Sequence, residues 1–401
     1  MHVQLWSYNY DPEPIGIGPI GGTAARALAD NGHEVEVISA HPHYPGPQWG
    51  NRLLPYREER DGLSVIRLPI WPGRSTAVRR IRQELSFALA EVGVLPALRR
   101  PDVILAISPS FPGLAAVMLN GRVRRVPWVL WLQDILPDGA IATEILREGA
   151  MTRLARRFER AAYRSAAHIV VISDSFEENL RRKGVDGKKM TRVYNPATRS
   201  ILVEPRHMNA VGDDMTGPTV LAMGNIGHTQ NLVELTRAFE QSAELEALGA
   251  RFVITGDGVA REDVRAAITT DRVRLAGILE NEELEQHLAR AAVGVVSQRY
   301  EGTNFNVPSK LMTFMGRGVP VVASVPPDFE AARIVRASGG RWVADSGDPH
   351  EFAATVARAL GNAPERDARG QAALRFAREK FAPERLGSEL ERILASVARG
   401  P

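Results

Sequence analysis

The sequence predicts an α/β protein of two domains, each with a parallel sheet wound by helices. Three observations carry that expectation. Apolar runs of strand length alternate with amphipathic helices from end to end, glycine-rich turns close several strands, and an irregular stretch bearing proline and glycine divides the chain. A length of 401 residues also asks for two cores of roughly 200 residues each.

In the first half the strand-length runs are Val3 to Ser7, Val35 to Ser39, Leu63 to Leu68, Val103 to Ile107, Trp128 to Leu132, Ile169 to Ile172 and Thr191 to Tyr194. A first helix is expected from Ile20 to Asn31, with Gly32 capping its end, and Asp174 with Glu177 reads as a capping box for a later one. Asn195-Pro196, Arg206 and Gly217-Pro218 punctuate a linker, so residues 1–200 form the first domain and 217–382 the second. Strands resume at Val220 to Met223, Phe252 to Thr255, Val273 to Leu275, Gly294 to Ser297, Val319 to Ala323 and Arg341 to Ala344. Asp348-Pro349-His350-Glu351 is a helix start, with a cap, a proline at the first helical position and a glutamate three residues after the cap. The helical stretch 383–401 has no strand after it and is expected to cross back to the first domain.

Hydrophobic content of 44% and charged content of 24% are those of a soluble globular chain. With no cysteine there is neither a disulfide framework nor a thiolate metal site, which fits the cytoplasm. Met1 to Ser7 already reads as a strand, so no signal peptide is expected at the start. The longest uncharged run, Val103 to Gly121, is broken by Ser108-Pro109-Ser110-Phe111-Pro112 and reads as strand, turn and helix instead of a membrane span. Residues 1–200 carry 27 Lys/Arg against 20 Asp/Glu, a net +7, and the remainder 23 against 27, a net −4. The first half is therefore the one that would face an anionic partner.

Gly16-Ile17-Gly18-Pro19-Ile20-Gly21 matches the dinucleotide fingerprint in letters only. Eight residues separate it from the preceding strand, and the second strand ends Ser39-Ala40-His41 with no acidic residue to hold a ribose. Gly21 and Gly22 open a helix directly, so a ligand approaching that backbone is the expectation kept. Walker, HExxH and nucleophile-elbow motifs are absent, and no Asp-x-Asp pair is present to hold a metal diphosphate. Neither a cofactor nor a metal is expected. No nucleic-acid-binding module is recognised.

The sharper signal is in the second half. Gly224-Asn225-Ile226-Gly227 follows an apolar strand, and Val307-Pro308-Ser309-Lys310 precedes a helix. Each is expected to offer free backbone N–H groups at the carboxyl end of a strand, where α/β sheets hold phosphate. Lysine is rare here, limited to Lys183, Lys188, Lys189, Lys310 and Lys380, so a lysine at a helix-opening turn stands out. Gly256-Asp257-Gly258 and Gly277-Ile278-Leu279 fall at the ends of the next two strands. The set reads as a clamp for the diphosphate of a nucleotide-sugar.

With these elements in this order, the chain resembles the family-4 retaining glycosyltransferases of the GT-B fold, and among them the colanic-acid-type fucosyltransferases and O-antigen enzymes. Further points of likeness are Ser7-Tyr8-Asn9-Tyr10-Asp11-Pro12-Glu13, Gly32-His33-Glu34-Val35, His41-Pro42-His43-Tyr44-Pro45 and Gln133-Asp134. The resemblance implies two Rossmann-like domains facing across a cleft, the first for the acceptor and the second for the donor. It implies catalytic roles for Asp134 and Lys310, and acceptor contacts from His41, His43 and Gln133. Donor contacts would come from Gly21, Gly22, Asn225, Ile226, Gly227, Gln230, Gly256, Ile278, Arg299, Ser309, Leu311 and Thr313.

Two departures bear on the chemistry. Asn225 and Gln230 stand where most of the wider family has an arginine and a lysine, and Phe305 and Thr313 stand where it has a Glu-x7-Glu pair. Lys310, helped by Arg299, is then left to balance the diphosphate. The donor implied is a UDP- or GDP-sugar, and the acceptor a sugar, a lipid-linked sugar or a small molecule. Rival readings are a nucleotide-sugar 2-epimerase, a pseudoglycosyltransferase and a non-catalytic nucleotide-sugar-binding protein. Val78, Ile81, Leu85, Leu89, Val92 and Leu95 form an apolar stripe at helical spacing flanked by arginines, which fits either a core-facing helix or peripheral docking on the inner face of an anionic membrane.

Overall fold

The computed structural model describes all residues except 14–15, 44–53, 72, 74–76, 109, 136–148, 198–216, 301–306 and 401. The expected linker around Arg206, the Tyr44-Pro45 end of the histidine turn and Phe305 lie outside the described residues. The chain divides into two compact units, Met1–Pro196 with Pro383–Pro401, and Ala197–Ala382.

The first unit holds an eight-stranded sheet in the order β3-β4-β2-β1-β5-β6-β7-β8. Its strands are β1 (His2–Ser7), β2 (Glu34–Ala40), β3 (Tyr56–Arg60), β4 (Leu63–Leu68), β5 (Val103–Ile107), β6 (Trp128–Leu132), β7 (His168–Val171) and β8 (Met190–Arg192). The interior strands β1, β5 and β6 are buried at every residue, as expected of a parallel sheet covered by helices on both faces. The helices are α1 (Ile17–Asp30), α2 (Ala77–Val94), α3 (Phe111–Arg124), α4 (Ala150–Ser165) and α5 (Asp174–Arg182). Gly32 ends α1 as expected. At φ +83° it lets its own N–H reach the Ala29 carbonyl and that of His33 reach Leu28.

One local expectation is corrected, and one strand is added. The cap of α5 is Ser173, whose Oγ accepts from the Phe176 N–H, while Asp174 sits one residue inside the helix and pairs with Arg192. A strand not foreseen from the sequence, β3, pairs antiparallel with β4 through Asp61-Gly62, both at positive φ (50° and 74°). That is the backbone a tight hairpin requires.

The second unit has a six-stranded, wholly parallel sheet ordered β11-β10-β9-β12-β13-β14. Its strands are β9 (Thr219–Met223), β10 (Arg251–Thr255), β11 (Val273–Gly277), β12 (Ala291–Ser297), β13 (Val321–Ser324) and β14 (Val343–Ala344). The helices are α6 (Leu232–Gln241), α7 (Ala243–Ala247), α8 (Arg261–Ala267), α9 (Asn281–Arg290), α10 (Ser309–Gly316), α11 (Glu330–Ala337), α12 (Pro349–Gly361) and α13 (Ala363–Lys380). Phe252 joins Phe239 and Phe352 at ring separations of 5.2 and 6.3 Å in the core between sheet and helices. Asp348 caps α12 by accepting from the His350 and Glu351 N–H groups, but Glu351 turns its own carboxylate to the Asp345 N–H. The last helix, α14 (Pro383–Ala398), belongs to the first unit, where Gly387 lies against Ala27 of α1 and Asn31 donates to Glu391.

Candidate functional site

In each sheet the strand order reverses once, between β1 and β5 in the first and between β9 and β12 in the second. Such switch points leave an opening at the carboxyl ends of the strands, and ligands of α/β proteins settle there. The chemistry-bearing residues of this chain gather at those two edges.

In the second unit, Gly224 to Gly227 follows β9 and is braced from below by the turn after β10. A Cβ on Gly256 would fall 1.9 Å from the Gly224 carbonyl oxygen, so only glycine permits this approach, and its φ of +123° agrees. The expected row of free amides is corrected at this point. Gly224 donates to the Thr255 carbonyl, Ile226 to that of Asp257, and Gly227 to the side-chain oxygen of Gln230. Ile226 has its side chain in the core. Gly256 spends its N–H on Gly277. These residues shape the loop; among the described residues only the Asn225 N–H of the four-residue turn has no partner. Replacing Gly256 with alanine is therefore expected to displace the loop and cost about 1–3 kcal/mol of stability, measured by urea unfolding.

Two cations flank that turn. Lys310 lies in the first turn of α10, and α10 is seated close to the sheet because Phe314 packs over Gly294 of β12, where a Cβ would meet the ring at 2.5 Å. A Cβ on Gly224 would stand 3.8 Å from Lys310 Cε, so the lysine stem runs along the turn. Burial lowers the Lys310 ammonium to a pKa of about 8, and among the described residues it has neither an ion pair nor a hydrogen bond. Arg299, just past β12, is the second cation. Its Nε donates to Asn231 Oδ1 at 2.8 Å and its N–H to the Thr229 carbonyl. Asn231 is buried, adopts φ +55° at the start of α6 and is anchored on the Ser346 carbonyl. It aims Arg299, and the sequence reading missed it. The only signal was an asparagine directly before a helix, where a left-handed residue is tolerated.

Other expected donor contacts are placed differently. Leu311 is fully buried and its N–H bonds the Pro308 carbonyl, so its side chain belongs to the core. Ser309 and Ile278 are exposed, and Thr313 is half-buried with its hydroxyl on the Ser309 carbonyl.

In the first unit the glycine-rich stretch is filled by the chain itself. Gly21 backs onto the Tyr10 ring, and a Cβ on Gly22 would sit 2.6 Å from Asp11 Oδ2. The close approach predicted from Gly21 and Gly22 is real, but the approaching group is the loop after β1 and no ligand is needed to explain it. Arg67 pins the same loop. It is fully buried, bonds the Asp11 carbonyl and Glu58, and faces the Tyr10 ring at 5.5 Å.

His41 and His43 are buried, contrary to the solvated state usual for loop histidines. Glu13 accepts from the His43 N–H at 2.8 Å and from Asn9 at 2.6 Å. His43 Nδ1 faces the His41 carbonyl at 3.0 Å and Glu13 Oε1 at 3.2 Å, two acceptors, so Nδ1 carries the proton. Gln133 is also largely committed, its amide exchanging two hydrogen bonds with Asn195 and its N–H reaching Ser108 Oγ. Asp134 is exposed at the end of β6, where an approaching molecule can reach it.

A family model described as glycosyl transferase 4-like domain matches residues 16–196, and one for glycosyl transferases group 1 matches 217–362. The chain is a GT-B glycosyltransferase. WcaI of Escherichia coli strain K12, assigned as a colanic acid biosynthesis glycosyl transferase, is 26% identical over 374 residues, covering 89% of this chain and 91% of that protein. WbjE of Pseudomonas aeruginosa, assigned as a glycosyltransferase, is 24% identical over 80% of this chain and 87% of its own length. Among solved structures, the sucrose-phosphate synthase of Thermosynechococcus elongatus superposes on this glycosyltransferase with a TM-score of 0.71 at 17% identity, over 98% of both chains. Anabaena HepE in complex with UDP does so at 0.70 and 15%, over 98% of this chain and 100% of that one.

Proposed function

We propose that this glycosyltransferase moves a sugar from a nucleoside-diphosphate-sugar to a hydroxyl acceptor in polysaccharide or glycoconjugate assembly, retaining the anomeric configuration, as a family-4 enzyme. The observation that carries the reading is Lys310: an ammonium held in a desolvated place beside a glycine turn at a switch point, with no carboxylate among the described residues to answer it. A diphosphate is the anion that fits, and UDP is what HepE holds in its solved complex. The name of the colanic acid relative supports a polysaccharide acceptor.

In this reading the bond from C1 of the sugar to the diphosphate oxygen breaks and a bond from C1 to the acceptor oxygen forms on the same face. The acceptor proton passes to the departing phosphate. Catalysis is then positioning and electrostatic stabilisation of the leaving group. Lys310 and Arg299 supply charge, and the Asn225 N–H with the first N–H groups of α10 supply dipoles. The sequence has no Asp-x-Asp pair, and these groups make a bridging metal unnecessary.

The test is product analysis by NMR with UDP- and GDP-sugars, with and without EDTA. A transfer that keeps the donor's anomeric configuration and survives chelation is expected. Inverted product, or activity lost to EDTA and rescued by magnesium, would reject the corresponding part of the proposal. Sugar transfer or acceptor-free donor hydrolysis also separates the enzyme from a mere binding protein.

A further inference from the structure

The two helical layers of the first unit differ in what they show to solvent. Right-handed crossovers put α1 on one face of the sheet and α2, α3 and α4 on the other, since β1 to β2 and β4 to β7 progress in opposite directions. α1 packs with α14, and α3 packs with both α2 and α4. Among the described residues, α1 and α14 expose no large apolar side chain, whereas α2, α3 and α4 expose seven.

The centre of this surface is α2, which is turned inside out. Ile81, Leu85, Leu89 and Val92, spaced by four, four and three, are 57%, 50%, 74% and 40% exposed. The opposite side buries Phe87 together with the polar Gln83 and Glu91, and burial holds the Glu91 carboxyl well above its ordinary range. Leu119 and Val123 of α3, which packs beside α2, and Leu154 of α4, which packs beside α3, are exposed as well. Trp71, itself exposed, borders α2: its N–H donates to Ser86 Oγ and its ring lies 5.6 Å from the Arg82 guanidinium. An exposed apolar stripe of this kind on packed helices marks an interaction site.

Charge identifies the partner. Arg79 and Arg82 of α2 and Arg122 of α3 are exposed, and α4 carries Arg153, Arg157, Arg160 and Arg164 along one side at intervals of four, three and four. None of the three helices exposes an acidic residue among the described positions: Glu84 is half-buried, Glu91 is buried, and Glu159 is buried against Lys183 and Tyr163. A second copy meeting this face through a twofold axis would set arginine against arginine. No described helix is long and apolar enough to cross a membrane, so a lipid partner would be met at its surface.

We propose that the outward face of α2, α3 and α4 docks on an anionic bilayer, with the α2 stripe and Trp71 entering the headgroup region and the arginines lying against lipid phosphates. The test is flotation of the full chain with vesicles of phosphatidylcholine containing phosphatidylglycerol, and of phosphatidylcholine alone, at low and high salt. The wild type is expected to float with the anionic vesicles only, and to be released by salt. The pair Leu85→Glu and Leu89→Glu, and separately the pair Arg157→Glu and Arg160→Glu, are expected to weaken partitioning at least about tenfold, because each arginine contributes on the order of fivefold at such a surface. All these positions are exposed, so thermal midpoints of the variants should match the wild type. Absence from both vesicles, variants that float like the wild type, or a dimer dissolved by the leucine pair would each overturn the proposal. No readout here depends on catalysis, so the donor reading stands or falls separately.

Discussion

Lys310→Ala is expected to weaken nucleoside diphosphate binding by about 1.5–3 kcal/mol, roughly ten- to 150-fold, the range of a charge-assisted hydrogen bond in a partly desolvated site. Folding should not suffer. The native ammonium has a pKa of about 8 against an ordinary 10.5, so between those values the unfolded chain binds more protons than the folded one. By linkage the lysine opposes folding below pH 8, and that opposition fades as pH rises from 8 to 10.5. Lys310→Met should thus leave the thermal midpoint at pH 7 unchanged or raise it while binding falls. The same depressed pKa predicts that affinity for diphosphate drops as pH climbs past 8, and that binding at pH 8.5 takes up a proton. Calorimetry in buffers of different ionisation enthalpy reads both. Equal affinity in wild type and Lys310→Ala would remove the lysine from the donor site.

The largest expected loss of stability is at Arg67. Its guanidinium is fully buried, joins β4 to the loop after β1 through the Asp11 carbonyl, and meets Glu58 at 2.9 Å and the Tyr10 ring at 5.5 Å. Arg67→Met keeps the stem but strands the Glu58 carboxylate and the buried carbonyl, for an expected cost of about 3–5 kcal/mol in urea unfolding. Glu58 is itself 30% exposed and can turn toward water, which points to the lower end of that range. A loss below about 1 kcal/mol would mean that the loop is held by its contacts with α1 instead.

The strands were legible because the interior of a doubly covered parallel sheet must be apolar on both faces, and runs such as Val103 to Ile107 have no other use. β3 was illegible for the converse reason. Tyr56-Arg57-Glu58-Glu59-Arg60 lies at a sheet edge and is charged along most of its length, and only the Asp61-Gly62 turn announced it. Lys310 and the turn after β9 could be found from composition and spacing. What spacing could not reveal is which group makes a close approach: Gly21 and Gly22 ask for a neighbour, and the neighbour is Tyr10 and Asp11. Nor could it show that three of four amides in Gly224 to Gly227 are already occupied. For α2, periodicity gave an apolar stripe without saying which side faces the sheet, and the side chosen includes Gln83 and Glu91.

The return of α14 to the first unit sets an order of events during synthesis. Ala197–Ala382 is continuous and can close its own core as soon as it has emerged. The first unit, although it is translated earlier, must wait for the last helix, because the surface of α1 around Ala27 is covered by Gly387 of α14. Until then that surface stays open to solvent, to chaperones and to neighbouring nascent chains, and a ribosome that stalls in the second unit releases a first unit lacking its final layer.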